Sequence, residues 1–312
     1  MADESSFTVL AIDVGNTRAK FGLFRCKVGA KSESASEKHE FGSANRHSAA
    51  SPIESVPAAI AIVASVLEKA VAPGEMLREW TRSLPCDLPK IAVVAGSEVD
   101  QRDQLVSDWP LDRCRPVVID HFGQIPIGVD VEMPDRVGID RLLDCWAAWQ
   151  MTGCRNAVIA VDSGTATTVD LLTSDGIFRG GSILPGLRLS AHAMHDYTAR
   201  LPLLNTDAEQ IELPLLPGRN TEDAMRAGLF IGQLGAVREL VQRLNEANCR
   251  IGRTTSGSPV ATELASGPET STPPSLFVTG GGGRQLVRHL PGALFVDSLA
   301  LHGLAMLAPI EV

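Results

Sequence analysis

The sequence has no excess of basic residues. It contains 28 Lys and Arg against 37 Asp and Glu, a net charge of −9 at pH 7 with a pI near 5.3. Binding to the phosphate backbone of nucleic acids requires a surplus of Lys and Arg. We therefore expect no nucleic-acid partner, whereas a small anionic substrate needs only a local positive site.

Membrane-spanning and secretory signals are missing as well. The most apolar run, Val56–Leu67, contains Pro57 and is shorter than the roughly 20 residues that span a bilayer. We interpret it as a buried helix. Residues Met1–Ser6 lack the positive start and apolar stretch of a secretory signal. The six cysteines form no C-x-x-C pair and are interpreted as free thiols in a reducing compartment. We expect a cytoplasmic protein with no membrane partner.

Two widespread nucleotide-binding motifs are absent. No G-x-x-x-x-G-K-[ST] string occurs, and neither the turn at Gly15 nor the turn at Gly164 leads into a helix as a Rossmann fingerprint would. The histidines show neither the H-E-x-x-H spacing nor a cysteine partner, which argues against a histidine-held metal. A nucleotide site, if present, must therefore be built in another way.

The chain is internally duplicated. Its 312 residues, 44% of them hydrophobic, exceed what one core usually supports, so two domains are expected. Leu10–Gly15 and Ile159–Gly164 share Ala, Asp and Gly at a constant offset, with apolar residues opposite apolar ones, and each precedes a polar turn and a second strand. We place the boundary near Cys154, which gives α/β domains at 1–153 and 154–312.

Each half contributes an Asp-x-Gly turn suited to phosphate. Asp13 and Asp162 supply carboxylates for Mg²⁺, and Gly15 and Gly164 let backbone approach a ligand closely. Donors to phosphate oxygens follow at Asn16, Thr17, Thr165 and Thr167. Near the chain end, a strand runs into Gly280–Gly283, where backbone could approach an adenine or ribose. The alternatives are ordinary hairpin turns and, for the glycine run, a flexible loop.

A carboxylate and a cation stand side by side in Gly138–Arg141. Phosphoryl transfer requires positioning, charge neutralisation and a group that deprotonates the accepting hydroxyl. Asp140 is predicted to be the general base and Arg141 the substrate clamp, at the N-terminus of a helix. The alternative is that Asp140 only caps this helix, and Thr221 likewise could be a capping residue rather than a ligand.

Helical spacing and low-complexity tracts complete the outline. Apolar residues recur with helical period over Leu142–Trp149 and Ala224–Val237, which predicts two helices. Lys27–Ser51 and Thr254–Ser275 are polar tracts of poor periodicity and are predicted to be surface loops or insertions.

Four motifs in fixed order resemble the type III pantothenate kinases. They are Asp13-x-Gly15-Asn16-Thr17, Gly138-x-Asp140-Arg141, Asp162-x-Gly164-Thr165-Ala166-Thr167-Thr168 and Thr279-Gly280-Gly281. The likeness extends to Gly180–Gly186, Thr198–Pro202 and Asn220-Thr221, and so covers nearly the whole chain outside the two polar tracts. It implies an actin-like ATPase, ribonuclease H-like fold of the ASKHA superfamily, with two duplicated domains and the nucleotide cleft between them.

The resemblance also implies an activity and its residues. It implies transfer of the ATP γ-phosphate to the 4′-hydroxyl of pantothenate, the first step of coenzyme A biosynthesis, by a homodimer that uses Mg²⁺ and K⁺ or NH₄⁺. Asp140 would accept the proton, and Asp162 would hold the monovalent cation instead of the magnesium suggested above. Pantothenate would be contacted by Gly138, Ile139, Asp140, Arg141 and Thr221. ATP would be contacted by Asp13, Val14, Gly15, Asn16, Thr17, Arg18, Ala19, Lys20 and Thr165.

One departure and two rival functions accompany this resemblance. The family often carries a Tyr a few residues before Gly138 that contacts substrate, whereas Val131 stands nearest that position here, so the pocket is expected to differ. An actin-fold kinase for a sugar or another small acid would share the Asp-x-Gly loops. A non-catalytic, nucleotide-binding transcriptional accessory factor is the second rival.

Overall fold

The structure is a computed structural model that describes residues 6–15, 17–27, 59–68, 72–84, 89, 91–112, 114–206, 214–255 and 272–311. The two predicted surface tracts lie almost entirely outside these residues. The described chain forms two compact units. The first comprises the described residues up to Cys154, Asp175–Ile177, and those from Ser298 onward, and the second comprises the described residues of Arg155–Ser174 and Phe178–Asp297.

The first unit is built on a five-stranded sheet of order β3-β2-β1-β4-β5. Its strands are β1 Ser6–Val14, β2 Arg18–Lys27, β3 Ala59–Glu68, β4 Ile91–Ala95 and β5 Arg115–Val118. The first three pair antiparallel, whereas β4 and β5 continue the sheet parallel to β1. Its helices are α1 Pro73–Arg82, α2 Val99–Ser107, α3 Ile139–Met151 and, from the far end of the chain, α7 Leu299–Glu311. A short strand, β6 Gly128–Val129, follows β5.

Both faces of this sheet are covered. Strand β1 alternates its apolar side chains, so that Leu10 and Ile12 join the core beneath α1, where Leu77 and Trp80 are buried. The opposite face packs against α7. Because residues 299 to 308 of α7 are apolar and buried except for the half-buried His302, the helix belongs to the interior rather than the surface.

Helix α3 is fixed by close contact with α7. A Cβ on Gly303 would lie only 2.7 Å from the Leu143 carbonyl oxygen, so glycine alone permits this approach. On the sheet side, the Cys26 thiol reaches the Ala305 carbonyl oxygen at 3.5 Å, and the Phe24 ring meets the His302 ring edge-on. The end of the chain therefore supports the helix that begins at the predicted catalytic motif.

The second unit repeats the same sheet plan with the order β11-β10-β7-β8-β9. Its elements are β7 Val158–Ser163, β8 Ala166–Leu172, β9 Ile177–Pro185, α4 Leu187–Asp196, α5 Thr221–Thr255, β10 Ser275–Thr279, α6 Gly283–Leu286 and β11 Leu294–Phe295. Strands β7, β8 and β9 pair antiparallel, and β10 and β11 continue in parallel. The core lies between β7–β8 and the buried face of α5, which carries Phe230, Leu234 and Val237.

The matching strand orders confirm the predicted fold class. In each unit the antiparallel strands come first and the parallel strands extend the other side of the first strand, which is the ribonuclease H-like sheet of actin-like ATPases. In the structure, the described residues 298–311 and 175–177 group with the first unit, and the predicted division into domains 1–153 and 154–312 stays a prediction. Proximity in sequence does not reveal where a last helix packs.

The interpretation of Val56–Leu67 as a helix is wrong. Its described part, Ala59–Glu68, is strand β3 at the edge of the first sheet, paired antiparallel with β2. The run contains Ile60, Ile62, Val63 and Val66, whose β-branched side chains favour extended backbone. The two helices predicted from periodicity are confirmed as α3 and α5.

Candidate active site

The first Asp-x-Gly turn joins β1 to β2. The Gly15 N–H donates to the Arg18 carbonyl oxygen at 3.0 Å, which closes the turn, while Asn16 lies outside the described residues. Val14 and Ala19 face each other across the hairpin, and Thr17 and Arg18 lie half-buried at its tip. The predicted ATP-contacting residues of this turn are therefore held by strand pairing on both sides.

A buried ion pair stands directly below this turn. Asp13 and Lys20 are partners in the antiparallel register, and Lys20 Nζ lies 3.2 Å from Asp13 Oδ2. Asp13 is only 5% exposed. Because a buried carboxylate requires a cation or donors, Lys20 both stabilises Asp13 and places a positive charge close to the turn.

The segment after β4 closes against the same turn. The Glu98 N–H donates to the Val14 carbonyl oxygen at 3.1 Å, and a Cβ on Gly96 would overlap that same carbonyl group. Glycine is therefore required at position 96 for the two segments to meet. The short segment that follows β4 thus packs against the predicted phosphate-binding turn and supports it.

The second Asp-x-Gly turn joins β7 to β8. Its Gly164 N–H donates to the Ala166 carbonyl oxygen at 3.0 Å, and Gly164 and Thr165 are exposed. The Gly186 N–H donates to the Thr165 carbonyl oxygen at 3.0 Å, and Gly186 sits so close to Gly164 that a Cβ would overlap it. The start of α4 therefore supports the turn and leaves the outer side of Thr165 accessible.

Asp162 lies where the second turn meets the glycine run. Gly280 has a φ of +83°, and a Cβ there would overlap the Asp162 carboxylate and the Ser163 backbone. The Gly282 N–H donates to the Ser163 carbonyl oxygen at 2.9 Å. Glycine at position 280 therefore lets the backbone approach the half-buried Asp162 carboxylate closely, and carboxylate and carbonyl oxygens are ligands that a hard cation prefers.

The motif Gly138–Arg141 forms the start of α3. The helix begins at Ile139 with Gly138 as its N-cap residue, and no side chain caps it. Asp140 is half-buried in the first turn, and its Oδ1 accepts a hydrogen bond from the Arg141 N–H at 2.9 Å. The alternative of Asp140 as the N-cap is therefore wrong, because Gly138 occupies that position and Asp140 lies two residues further into the helix.

Gly138 makes room for the Asp140 carboxylate. A Cβ on Gly138 would stand 2.5 Å from Asp140 Oδ1, a distance at which the carboxylate would have to move. The φ of Gly138 is −58°, which any residue adopts. The requirement for glycine here is thus set by the position of the Asp140 carboxylate and not by the backbone.

Thr221 is the first residue of α5 and is exposed. The preceding residue does the capping, because Asn220 Oδ1 accepts from the Asp223 N–H at 2.8 Å and Asn220 Nδ2 donates to the Asp223 carboxylate at 2.7 Å. The alternative role of Thr221 as a cap is therefore not needed. Its hydroxyl is placed at the helix start, where a ligand could reach it.

Two side-chain contacts near these motifs are not predicted from the sequence. Gln233 of α5 is buried and donates from Nε2 to Thr167 Oγ1 at 2.5 Å, which ties the helix to the second turn. His121 Nε2 lies 3.3 Å from Asp135 Oδ1, three residues before Gly138. Gln233 interrupts the apolar stripe of α5, and such a buried polar residue indicates a polar partner in the core. Nothing in the sequence pattern predicts that His121 pairs with Asp135.

Comparisons with known proteins agree with this geometry. The family model of type III pantothenate kinase matches residues 74–243. A type III pantothenate kinase of Chlorobium luteolum is 32% identical over 248 residues, which cover 78% of each chain. One from Rhodopirellula baltica is 42% identical over 119 residues, which cover 38% of this chain and 43% of that protein. The chain thus spans less than half the length of the latter relative.

A solved structure supports the fold. A crystal structure from Campylobacter jejuni, described as a putative Baf family transcriptional activator, aligns over 97% of this chain and 98% of its own with a TM-score of 0.52 and 16% identity. Among the described residues, no helix is both long and apolar enough to cross a membrane. With a family model that matches more than half of its residues, the chain belongs to the type III pantothenate kinase family.

Proposed function

We propose that this protein transfers the γ-phosphate of ATP to the 4′-hydroxyl of pantothenate, the first step of coenzyme A biosynthesis. The observation that carries the proposal is the placement of Asp140, half-buried in the first turn of α3 beside Arg141, in a space that only Gly138 leaves open. Relatives that share the family are named for this reaction. The cytoplasmic location inferred from the sequence stays a prediction.

Asp140 serves as the proton acceptor in this reaction. Its carboxylate takes the proton from the 4′-hydroxyl as the hydroxyl oxygen attacks the γ-phosphorus, and the bond between that phosphorus and the bridging oxygen of ADP breaks. Arg141 neutralises charge on the substrate, since guanidinium groups bind carboxylates well. Thr221, Gly138 and Ile139 contribute further substrate contacts.

The turn after β1 contributes to ATP binding. Backbone N–H groups from residues 13 to 20 and the Thr17 hydroxyl offer donors to phosphate oxygens, and Lys20 supplies a fixed positive charge beside Asp13. Thr165 offers a hydroxyl from the second turn. Mg²⁺ would be held by phosphate oxygens, water and a carboxylate such as Asp13, and it would neutralise charge on the transferred phosphoryl group.

We propose that Asp162 holds a monovalent cation, K⁺ or NH₄⁺. The proposal is supported by Gly280, because the absence of a Cβ there lets backbone groups lie close to the Asp162 carboxylate. K⁺ prefers many oxygen ligands of low charge, which backbone carbonyls supply. Turnover should fall when K⁺ is replaced by Na⁺ at equal ionic strength, and equal turnover in both salts would remove this role from Asp162.

We propose that the protein is a homodimer that uses α4 and α5. Within the described residues, a Cβ on Gly228, Gly232 or Gly235 of α5 would meet no atom within 4 Å. Each such glycine costs about 0.5–1 kcal/mol in a helix, a cost that close approach of a second helix would offset. Leu189 of α4 and Tyr197, which directly follows this helix, are 46% and 89% exposed.

Light scattering tests the dimer. We expect Gly232→Arg, combined with Leu189→Lys, to yield monomers at concentrations where wild type is dimeric. Gln242→Arg, further along the exposed side of α5, serves as the matched control. A wild-type protein that is monomeric at micromolar concentration would exclude this assignment.

The activity itself is tested by ADP release with ATP, Mg²⁺ and K⁺. Pantothenate is compared with a panel of sugars and small acids as acceptor. Release that depends on pantothenate supports the proposal. Release with another acceptor would leave phosphoryl transfer in place but overturn the substrate, and no release with any acceptor would favour a regulatory role.

A further inference from the structure

Arg284 is held in a fixed orientation directly after the glycine run. Its guanidinium carbon lies 4.7 Å from the centroid of the Phe295 ring, and its Nη2 lies 2.9 Å from Asp297 Oδ2. The side chain nevertheless remains 64% exposed. The guanidinium plane therefore has one face on an aromatic ring and one edge on a carboxylate, with its remaining surface toward solvent.

Such an arrangement contributes little to folding. An exposed ion pair adds little net stability, and fixing an arginine side chain costs much of its rotamer freedom. A planar guanidinium that is already fixed, however, presents a flat surface on which another planar group can stack without further ordering cost. Arg284 is thus pre-organised for a flat ligand.

The glycine run that precedes Arg284 contacts the second Asp-x-Gly turn. Gly282 donates to the Ser163 carbonyl oxygen at 2.9 Å, and Gly280 abuts Asp162 so closely that no Cβ fits. A Cβ on Gly283 would lie 3.2 Å from the Phe295 ring. The ring that carries the guanidinium therefore rests against the same glycine run that contacts the phosphate turn.

We infer that Arg284 is the stacking platform for the nucleobase of ATP. Phe295 supports the guanidinium from below and Asp297 fixes its edge, while the accessible glycines 280–282 provide a surface without side chains along which the ribose can lie. The inference rests on the proposed function, since it completes the ATP site of that reaction. Because every base presents a π-face, this contact supplies affinity for the nucleoside with little discrimination between purines.

A charge interaction with phosphate would produce a different pattern. If Arg284 acted only as a positive charge, Lys would replace it well, and ligands without a base would lose affinity equally. If it only joined α6 to the segment after β11, its removal would lower the unfolding temperature and leave ligand binding unchanged. Comparison of ligands with and without a base therefore separates the three roles.

The test is calorimetric titration of ADP and of inorganic tripolyphosphate into wild type, Arg284→Ala, Arg284→Lys and the control Arg288→Ala. Arg288 is an exposed arginine of the same segment. We expect Arg284→Ala to raise the Kd for ADP about tenfold, in line with stacking contributions of about 1–3 kcal/mol, and to leave tripolyphosphate binding within about twofold. Arg284→Lys should not restore ADP binding, and Arg288→Ala should match wild type.

Each other outcome overturns the inference in an identifiable way. Equal losses for ADP and tripolyphosphate, or rescue by Lys, would assign Arg284 to phosphate charge. Unchanged ADP binding in Arg284→Ala would assign it to structure. Pantothenate-dependent ADP release by wild type, measured alongside, separates failure of this inference from failure of the proposed function, because a wild type that neither binds ADP nor turns over defeats both.

Discussion

Gln233 Nε2 donates a hydrogen bond to Thr167 Oγ1 at 2.5 Å, although 66 positions separate the two residues in sequence. Both side chains are buried, Thr167 on the strand that leaves the second Asp-x-Gly turn and Gln233 on the inner face of α5. A polar pair inside an apolar core is tolerated only when its members satisfy each other. The contact therefore fixes the turn to the longest helix of the protein.

Thr167→Val should lower the free energy of unfolding by about 1–3 kcal/mol, because it leaves the Gln233 amide buried without its acceptor. The double variant Thr167→Val with Gln233→Met should recover most of this loss, since both polar groups are then removed. Urea unfolding of the single and the double variant measures both changes in free energy, and Thr168→Val, at the next residue, is the control. Simple additivity of the two substitutions would show that the bond does not couple the helix to the turn.

Asp140→Asn should lower kcat by about 100- to 10,000-fold, because the amide cannot accept the proton from the substrate hydroxyl. The unfolding temperature should change little, since Gly138 and not Asp140 is the N-cap residue. Coupled-enzyme detection of ADP and a thermal melt give the two quantities. Near-normal turnover would leave Asp140 with a structural role only.

Gly138→Ala should reduce kcat while the helix remains intact. The added Cβ would stand 2.5 Å from Asp140 Oδ1 and displace the carboxylate, but the φ of −58° accommodates alanine. Gly74→Ala is the matched control, because this glycine also lies in the first turn of a helix and its Cβ would have its nearest contact at 3.9 Å. Equal activity of the two variants would contradict the proposed role of Gly138.

Lys20→Met should destabilise the first unit by about 1–3 kcal/mol, because it removes the cation next to the buried Asp13 carboxylate. The double variant Lys20→Met with Asp13→Asn should regain much of that stability but should still bind ATP poorly. Urea unfolding and ATP titration separate the two effects. Normal ATP binding by the stable double variant would limit this pair to a structural role.

The buried thiols predict a loss of stability at alkaline pH. Burial raises the pKa of Cys26 and that of Cys114 to about 12, above the ordinary value of 9.0. The folded state thus favours the protonated thiol, so this stabilisation is complete below pH 9 and is lost as the pH rises toward 12. We expect a smaller decline in the double variant Cys26→Ala with Cys114→Ala than in wild type, measured by urea unfolding from pH 8 to 11.

The features that the sequence predicts best are the local ones. The hairpins at Asp13 and Asp162 follow from apolar runs interrupted by Asp and Gly, and α3 and α5 follow from helical periodicity. The duplicated fold and the family prediction are confirmed by the two sheets and by the family model. Each hairpin and helix signal lies within a short stretch of consecutive residues, and the duplication follows from comparing two such stretches.

The features that it does not predict depend on distant partners. The segment of strand β3 is predicted to be a helix because a short apolar run fits the period of a helix as well as that of a strand. Only its pairing with β2 decides between the two structures. The contact of Gln233 with Thr167 and the closeness of Gly96 to Val14 likewise join segments far apart in sequence. Spacing along the chain gives no measure of such distances.

The return of α7 to the first unit has a consequence for synthesis on the ribosome. Strands β1 and β2 are translated long before the helix that covers their second face, which is encoded at residues 299–311. Until those residues leave the exit tunnel, an apolar sheet face has no partner and is available to chaperones or to misassociation. The first unit therefore becomes complete only after the whole second unit has been translated.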